Sequence, residues 1–435
     1  MKYYSTNHKS PTSNLRDAVI KGLASDKGLF MPESIPTLDK DFFKNIADMT
    51  LQEMSFHVAK ALFGDEIEHD ALKKIVDETL AFDIPLKRVR DHIYSLELYH
   101  GPTLAFKDVG ARFMARTLGY FNNTSQETVN VLVATSGDTG SAVANGFYTV
   151  PGIRVFVLYP KGKVSNIQEA QFTTLGHNIT ALQVDGTFDD CQALVKNAFM
   201  DKELNEKMKL TSANSINLAR FLPQMFYYFY AYAQLKKSVD ADKLKQLVVC
   251  VPSGNFGNIT AGLFAKRMGL PIHRFIAANN RNNVFYQYLQ TGVYSPKPSV
   301  ETIANAMDVG DPSNFARILV LYQHNHEVIC KDISGCTYND EQIKATIRET
   351  YRDNQYLLDP HGAVAYRALS ENIRENEVGV FLETAHPAKF KDTIDAVLDK
   401  NIEIPQKLAD FMSNKKEFVS ISADFNDFKK YILSR

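Results

Sequence analysis

The feature of this sequence that most constrains its fold is an alternation of short apolar runs with helical windows after about residue 125. The runs are rich in β-branched residues and are bounded by turn-forming residues, as expected for strands. Strands that alternate with helices form parallel sheets that are buried on both faces. The sequence therefore predicts an α/β protein with parallel-rich sheets, in which ligands bind at the carboxyl ends of strands. The predicted strands are Val129–Ala134, Arg154–Tyr159, Ile179–Val184, Leu247–Val251, Arg274–Ala278 and Val378–Leu382.

The first 95 or so residues have a different pattern. Windows at Asn14–Leu23, Leu51–Phe63 and Ile67–Leu80 place apolar residues at helical spacing. Between the first two lies Gly28–Glu33, an apolar turn that is too hydrophobic for an ordinary surface loop. A length of 435 residues favours two or three compact units. We therefore expect a mostly helical N-terminal domain at 1–95 and a second region at 96–435, with a smaller α/β subdomain at about 125–205 and a larger subdomain formed by the remainder.

Charge and cysteine content exclude several classes of protein. The 49 basic and 50 acidic side chains nearly cancel, which argues against a nucleic acid as the main ligand. The first residues lack the apolar core of a secretory signal, and no stretch reaches about 18 uninterrupted apolar residues. The cysteines form neither a C-x-x-C motif nor a disulfide framework. We therefore expect a cytoplasmic protein with no membrane partner. The cysteines are Cys191, Cys250, Cys330 and Cys336.

A glycine loop with the properties of a phosphate site follows the strand Leu247–Val251, and a helix is predicted to start at Ile259. Glycines let main-chain N–H groups converge without obstruction by a Cβ atom, and a helix N-terminus adds free donors and partial positive charge. Together these features suit a phosphate dianion. The loop is neither a Walker A motif nor a dinucleotide fingerprint, and a simple tight βα turn is the alternative. Its residues are Ser253, Gly254, Asn255, Phe256, Gly257 and Asn258.

A second loop of the same construction follows the strand Val129–Ala134 and precedes a predicted helix at Ser141–Phe147. Ser136, Thr139 and the exposed amides are suited to hold a carboxylate or a phosphate. Asp138 would repel a bound anion unless it faces a hydroxyl or a protonated nitrogen. An ordinary helix cap is the alternative interpretation. The loop comprises Thr135, Ser136, Gly137, Asp138, Thr139 and Gly140.

Lys107 is the candidate nucleophile. It follows the apolar Leu104-Ala105-Phe106 at the predicted start of a helix that runs to Met114 and beyond. Desolvation and the positive end of the helix dipole both lower the pKa of a lysine so placed. A neutral amine is what Schiff-base chemistry requires. The alternative is that Lys107 extends to solvent or pairs with Asp108.

These features together fit pyridoxal phosphate. That cofactor needs an amine for its aldehyde, a cradle for its phosphate and a second cradle for the carboxylate of its substrate. A further element follows the strand Val378–Leu382, where the hydroxyl of Thr384 is suited to the pyridine nitrogen. A capping hydroxyl is the alternative for Thr384. The combination is far more specific than any one of its parts.

Long ungapped segments resemble the threonine synthase family of fold-type-II pyridoxal-phosphate enzymes, over nearly the whole chain. The resemblance implies fold-type-II architecture, with residues 96–435 as the catalytic region that depends on pyridoxal phosphate. The N-terminal segments distinguish this family from simpler relatives. The matching segments are Tyr4–Thr6, Asp26–Glu33, His100–Asp108, Thr135–Gly140, Ser212–Asn217, Ser253–Asn258, Asn305–Asp308 and Thr384–Phe390.

The resemblance also assigns roles to residues. It implies that Lys107, preceded by Phe106, forms the Schiff base, that the loop at 253–258 surrounds the cofactor phosphate, and that Thr384 lies at the ring nitrogen. Asp138 is expected near the 3-oxygen, where many relatives have Asn. The substrate carboxylate is assigned to Ser136, Thr139 and neighbouring amides, including those of Gly137 and Gly140. Candidates for the substrate phosphate are Lys163, Ser212, Asn214, Asn217, Arg220 and Lys389.

The reaction implied by the resemblance converts O-phospho-L-homoserine and water to L-threonine and phosphate, the last step of threonine biosynthesis, with Lys107 as proton shuttle. No metal is expected, and the chain is expected to be a monomer or a homodimer. A phospholyase or serine/threonine dehydratase is the alternative within enzymes, because it shares the early steps and releases a keto acid. The apolar turn Gly28–Glu33 favours the synthase. A binding protein that keeps the fold without catalysis is the third possibility.

Overall fold

A computed structural model describes residues 1–123 and 127–435 of the chain. Every run that the sequence predicts to be a strand is a strand, with ends that differ by at most one residue. The strands are β1 (Tyr3–Ser5), β2 (Phe30–Pro32), β3 (Leu86–Arg90), β4 (Ile93–Glu97), β5 (Val129–Ala134), β6 (Ile153–Pro160), β7 (Ile179–Asp185), β8 (Lys209–Ser212), β9 (Leu247–Pro252), β10 (Arg274–Asn279), β11 (Ile333–Thr337), β12 (Val378–Glu383) and β13 (Val419–Ser422).

Two parallel-rich sheets organise the molecule. One has the strand order β11-β10-β9-β12-β4-β3, and the other has the order β13-β7-β6-β5-β8. All neighbouring pairs are parallel except β3 with β4. The strands β5, β9 and β12 are buried along their whole length because helices cover both faces of each sheet. The predicted α/β class is confirmed.

Helices fill most of the remaining chain. They are α1 (Leu15–Lys21), α2 (Lys40–Asn45), α3 (Leu51–Phe63), α4 (His69–Thr79), α5 (Lys107–Asn122), α6 (Asp138–Phe147), α7 (Asn166–Thr173), α8 (Phe188–Met200), α9 (Lys202–Lys207), α10 (Leu218–Phe221), α11 (Met225–Lys236), α12 (Ala241–Leu244), α13 (Gly257–Arg267), α14 (Val284–Thr291), α15 (Phe315–Leu321), α16 (His326–Asp332), α17 (Asp340–Asn354), α18 (Pro360–Asn372), α19 (Lys391–Leu398), α20 (Gln406–Ser413) and α21 (Phe425–Leu433). Short 3₁₀ segments lie at Ile46–Asp48, Leu222–Gln224, Asn305–Met307 and Pro387–Phe390.

Two helix starts differ from the sequence prediction. Helix α6 begins at Asp138 rather than Ser141, and α13 begins at Gly257 rather than Ile259. In α6 the Thr135 hydroxyl accepts the N–H groups of Gly137 and Gly140, at 2.9 and 2.8 Å, and so stabilises an earlier first turn. Both glycine loops are therefore shorter than predicted, and each ends directly at a helix N-terminus.

The N-terminal helices share a core with the rest of the molecule. Phe63 of α3 lies 5.2 Å from Phe113 of α5, and Phe113 lies 5.8 Å from Phe226 of α11, between ring centroids. Phe42 of α2 contacts Phe229 of α11 edge to face, with ring centroids 5.9 Å apart. These contacts place the N-terminal helices against α11 and against α5, the helix that begins at Lys107. Within residues 1–123 and 127–435, no helix combines the length and apolar character that a membrane span needs.

Candidate active site

Lys107 is the first residue of α5 and lies beside the end of β12. The N–H of Phe106 donates to the carbonyl of Thr384 at 2.8 Å, and Ala105 and Ala385 form an isolated antiparallel bridge. The Nζ atom of Lys107 lies 5.8 Å from the centre of the Phe106 ring. These main-chain contacts bring together two segments that are almost 280 residues apart in the sequence, so the predicted nucleophile and the predicted ring-nitrogen partner are neighbours.

The environment of Lys107 favours its neutral amine. Burial lowers the pKa of Lys107 to about 8, and the positive charges of Arg220 and Lys389 act in the same direction. The carboxylate of Asp138 opposes them and raises the pKa. The balance leaves an amine that loses its proton far more readily than an exposed lysine, as the sequence predicted from desolvation.

The loop after β5 presents free donors to the space in front of α6. The hydroxyls of Ser136 and Thr139 form no hydrogen bond to any described residue, and neither do the main-chain N–H groups of Ser136, Asp138 and Thr139. Gly137 adopts φ 143°, a conformation that L side chains rarely adopt, so glycine is needed for the turn. The arrangement is suited to an anion at the helix N-terminus.

Asp138 faces a protonated nitrogen. Its carboxylate lies 2.7 Å from Nζ of Lys389 and accepts a hydrogen bond from Nε2 of Gln168 at 2.8 Å. Burial alone would raise the pKa of Asp138, but the ammonium groups of Lys389 and Lys107 hold it below its usual range. Lys389 also donates to the carbonyl of Thr103 at 2.8 Å. The pair joins the loop after β5 to the segment after β12, and thus connects the two sheets across the site.

The loop after β9 presents a second row of free donors. The main-chain N–H groups of residues 254–258 donate to no acceptor among the described residues. Phe256 has a left-handed conformation, with φ 63° and ψ 10°, which turns the chain into α13. The side chains of the loop are held from behind, since Ser253 and Asn258 donate to the carbonyls of Val251 and Pro252, each at 2.9 Å. The side chains are thus fixed while the amides stay free.

Gly254 forms part of the wall of this cradle. A Cβ atom at Gly254 would lie 2.8 Å from the carbonyl oxygen of Ala306 and 2.8 Å from Cα of Met307, both main-chain atoms that cannot rotate away. The Ala306 N–H donates to Nε2 of His361 at 3.1 Å, and Nδ1 of His361 contacts the carboxylate of Asp359 at 2.5 Å. Buried side chains therefore hold the 3₁₀ segment Asn305–Met307 so close to position 254 that only glycine fits there.

Arg220 is a buried cation near Lys107. Its guanidinium donates to the carbonyls of Ala213 and Lys107, at 3.0 and 3.3 Å. It forms no salt bridge with any described carboxylate, and burial lowers its pKa to about 10. A buried guanidinium with spare donors next to the nucleophile is suited to an anionic ligand.

The other candidates for the substrate phosphate lie in varied surroundings. Asn217 caps α10 by accepting from the N–H of Ala219, and it donates to the carbonyl of Val19 at 2.8 Å. Ser212 and Asn214 form a weak mutual contact of 3.4 Å. Lys163 is exposed. The side-chain oxygen and nitrogen of Asn217 are thus both used in hydrogen bonds within the protein. Ser212 and Asn214 remain able to form hydrogen bonds to a ligand.

Thr384 lies directly after β12 and is almost completely buried. Its hydroxyl forms no hydrogen bond to any described residue. The preceding Glu383 accepts from the N–H of Asp359 at 2.7 Å, and burial together with the Asp359 charge raises the pKa of Glu383 well above its usual range. The free hydroxyl of Thr384 is thus a polar group available to a ligand at this end of the site.

The residues fit pyridoxal phosphate on the observations above. An amine with a lowered pKa stands beside a free hydroxyl, with a glycine cradle of free amides nearby. Sequence reasoning missed several supporting residues, namely Gln168, Asp359 and His361. They stand outside every recognised motif, and only the folded chain shows their role. The described residues contain no cluster of His, Cys, Asp or Glu suited to a metal ion.

Three family models match the chain. The one described as pyridoxal-phosphate dependent enzyme matches residues 83–384, the threonine synthase N terminus matches 2–80, and the threonine synthase C-terminal matches 362–432. Threonine synthase of Serratia marcescens is 42% identical over 433 residues, which cover 100% of this chain and 99% of that protein.

Solved structures of the same kind superimpose over the whole chain. The crystal structure of threonine synthase from Escherichia coli has a TM-score of 0.92 at 41% identity and covers 100% of both chains. The X-ray structure of PLP-bound threonine synthase from Brucella melitensis has a TM-score of 0.93 at 33% identity, with 99% of this chain and 98% of that chain covered.

Proposed function

Because the chain belongs to the threonine synthase family of pyridoxal-phosphate-dependent lyases, we propose that its substrate is O-phospho-L-homoserine and that Lys107 carries the cofactor. The reaction consumes water and gives L-threonine and phosphate. The observation that supports this assignment most is the position of Lys107, since a single amine of lowered pKa stands near two loops of free main-chain donors.

We propose that the cofactor is held at three points. Lys107 takes its aldehyde carbon, with Phe106 beside it. The amides of the loop at 253–258 take its phosphate, and the Thr384 hydroxyl takes its ring nitrogen. When bound, pyridoxal phosphate supplies an electron sink for the charge that develops as a proton leaves the carbon next to the substrate's amine. Asp138, already paired with Lys389, is proposed to face the phenolic oxygen of the cofactor.

Lys107 is proposed to move the protons. A pKa of about 8 leaves a substantial neutral fraction at cellular pH, so Nζ can accept a proton and return it. The conversion removes protons from Cα and Cβ, breaks the bond between Cγ and the phosphate oxygen, and adds the hydroxyl of water at Cβ. Protons return to Cα and to Cγ, which becomes the methyl carbon, and the remaining proton of the water leaves with the inorganic phosphate.

The substrate's two anions are proposed to bind at separate places. The hydroxyls of Ser136 and Thr139, with the free N–H groups of residues 136, 138 and 139, bind the carboxylate. The N–H groups of Gly137 and Gly140, which the sequence also suggested for this role, donate instead to the Thr135 hydroxyl. Arg220 binds the phosphate, with Ser212 and Asn214 as neighbours, because its guanidinium has donors to spare and no carboxylate partner among the described residues. Lys389 contributes through its ion pair with Asp138 rather than by direct contact.

The proposed domain division follows the sequence pattern. Residues 1–95 form the N-terminal domain and residues 96–435 the catalytic region, in which about 125–205 make up the smaller subdomain. We also propose a cytoplasmic monomer or homodimer that works on a small molecule. The cysteines, all free among the described residues, support a reducing compartment.

Product analysis tests the proposal. Purified protein supplied with pyridoxal phosphate and O-phospho-L-homoserine is expected to release threonine and phosphate in equal amounts. Chromatography separates threonine from 2-oxobutanoate. Predominant keto acid would replace the synthase by a phospholyase or dehydratase, and absence of both products would leave a binding protein.

A further inference from the structure

Arg317 in α15 is the largest fully buried side chain among the described residues. Nothing in the proposed chemistry uses it, and it lies outside the recognised motifs. Burying a guanidinium costs several kcal/mol unless opposite charge and hydrogen bonds compensate. Its contacts therefore call for an explanation.

The guanidinium is satisfied entirely by neutral acceptors. Nη1 donates to the carbonyl of Ser215 at 2.9 Å and to Oδ1 of Asn314 at 2.6 Å, and Nη2 donates to the carbonyl of Ile216 at 2.6 Å. Nε and Nη2 share the carbonyl of Phe30, at 3.3 and 3.2 Å. No described carboxylate forms a salt bridge with Arg317.

Arg317 also stacks on an aromatic ring. Its guanidinium carbon lies 4.0 Å from the centre of the Phe221 ring, which contributes a cation–π interaction. Burial still lowers the pKa of Arg317, to about 9. The site thus holds a positive charge without a protein counter-charge.

The acceptors of Arg317 lead directly to the glycine loop after β9. The Ser215 hydroxyl accepts from Nδ2 of Asn255 at 2.9 Å and from Nδ2 of Asn314 at 3.0 Å. The Asn314 amide also donates to the carbonyl of Asn255 at 3.1 Å, and Ser313 donates twice to Oδ1 of Asn255. Arg317 is therefore one hydrogen-bonded side chain away from a residue of the loop.

We propose that Arg317 is a positioning residue that holds the loop at 253–258 in its donor conformation and supplies the counter-charge for the phosphate dianion bound there. Through the carbonyl of Phe30 it also holds strand β2 in the same network. This strand (Phe30–Pro32) forms where the sequence predicted an apolar turn at Gly28–Glu33. The inference rests on the proposed placement of the cofactor phosphate.

The test compares pyridoxal phosphate with pyridoxal, which has the same ring and aldehyde and no phosphate. Apoenzyme of the wild type, Arg317→Met and Arg317→Lys is titrated with each compound by absorption spectroscopy. Arg317→Met is expected to lose about tenfold of the preference for pyridoxal phosphate, with little change for pyridoxal. Arg317→Lys keeps the charge and is expected to retain most of the preference. Arg267→Met serves as the matched control, since Arg267 stacks on Tyr322 at 5.2 Å and is exposed.

The outcomes are distinguishable. Unchanged preference in Arg317→Met, or equal weakening for both compounds, would overturn the electrostatic role. If Arg317→Met does not fold, as judged by circular dichroism of the apoenzyme, Arg317→Lys decides: loss of the phosphate preference in that variant overturns the role, and retention supports it. Wild-type apoenzyme that binds neither compound would instead overturn the proposed function.

Limited proteolysis provides a second readout, which tests the contact between Arg317 and strand β2. Trypsin cleavage after Lys27 is expected to slow when wild-type apoenzyme binds pyridoxal phosphate, because the ligand tightens the network that reaches Phe30. In Arg317→Met this protection is expected to be absent. Equal protection in both proteins would show that Phe30 is not coupled to the cradle through Arg317.

Discussion

The two glycine loops have the same backbone design and opposite electrostatics. Each follows a buried strand, presents free amides and ends at a helix N-terminus, although in the loop after β5 the Thr135 hydroxyl accepts two of the amides. The loop after β5 carries a buried carboxylate, Asp138, neutralised by Lys389 at 2.7 Å. The loop after β9 has no charged side chain, and the buried charge that reaches it through hydrogen bonds is the positive Arg317.

Free amides do not by themselves determine which anion a loop binds. A dianion beside Asp138 would meet a like charge in a medium of low dielectric constant, whereas a monoanionic carboxylate held by hydroxyls meets less repulsion. Beside Arg317 a dianion gains a counter-charge. We therefore infer that the loop after β9 takes the cofactor phosphate and the loop after β5 takes the substrate carboxylate.

The largest effect is expected from replacing Lys107, the residue near which both loops lie. Lys107→Ala should reduce threonine formation at least about a thousandfold, because the covalent anchor and the proton shuttle are lost together. Turnover is measured with O-phospho-L-homoserine, and circular dichroism checks that the variant folds. A variant with near-normal turnover would show that neither loop is organised around Lys107.

Alanine at one glycine of each loop separates their roles. Gly254→Ala places a Cβ atom 2.8 Å from main-chain atoms of Ala306 and Met307 and should weaken pyridoxal phosphate binding about tenfold to a hundredfold. Gly137→Ala meets the flexible side chain of Gln168 at 2.6 Å in a strained conformation, and should raise the KM for the substrate about tenfold while cofactor affinity changes little. Titration and steady-state kinetics measure the two effects. The opposite pattern would reverse the assignment of the loops.

Asp138→Asn breaks the charge balance of the first loop. Asp138 raises the pKa of Lys107, so its removal should lower that pKa below about 8. Since the ammonium form exists below the pKa, the neutral amine then persists to lower pH, and the pH dependence of the reaction of apoenzyme with pyridoxal phosphate should shift towards acid.

The same substitution leaves Lys389 buried without its partner, which should cost about 3–5 kcal/mol of stability. Asp189→Asn, at an exposed acid of α8, is the control. An unshifted pH profile in Asp138→Asn would show that Asp138 does not raise the pKa of Lys107.

The smallest effect is expected at Thr384, which belongs to neither loop. Thr384→Val keeps the shape, and the hydroxyl makes no hydrogen bond to a described residue, so folding should be unaffected. Loss of a hydrogen bond to the ring nitrogen should reduce turnover roughly threefold to tenfold and alter the absorption spectrum. A spectrum identical to that of the wild type would show that the hydroxyl does not reach the ring.

Much of the fold and the centre of the site were predictable from the sequence, because strands such as β5 and β9 are continuous apolar runs and the loops after them are contiguous. The predicted starts of α6 and α13 were wrong. The Thr135 side chain and the left-handed turn at Phe256 extend these helices towards the preceding strands.

Contacts between distant segments could not be predicted. The ion pair of Lys389 with Asp138 joins residues that are 251 positions apart in the sequence. Arg317 donates hydrogen bonds to the carbonyls of Phe30, Ser215 and Ile216, and no sequence pattern around α15 predicts these contacts. Such partners depend on the packing of the two sheets and the N-terminal helices against each other.

We propose that Lys107 carries the cofactor between these two loops. Borohydride reduction of the holoenzyme, followed by peptide mass mapping, identifies the lysine that is joined to the cofactor. We expect a phosphopyridoxyl group on the peptide that contains Lys107 and none on the peptides of Lys389 or Lys163. Modification of another lysine, or of none, would show that Lys107 does not carry the cofactor.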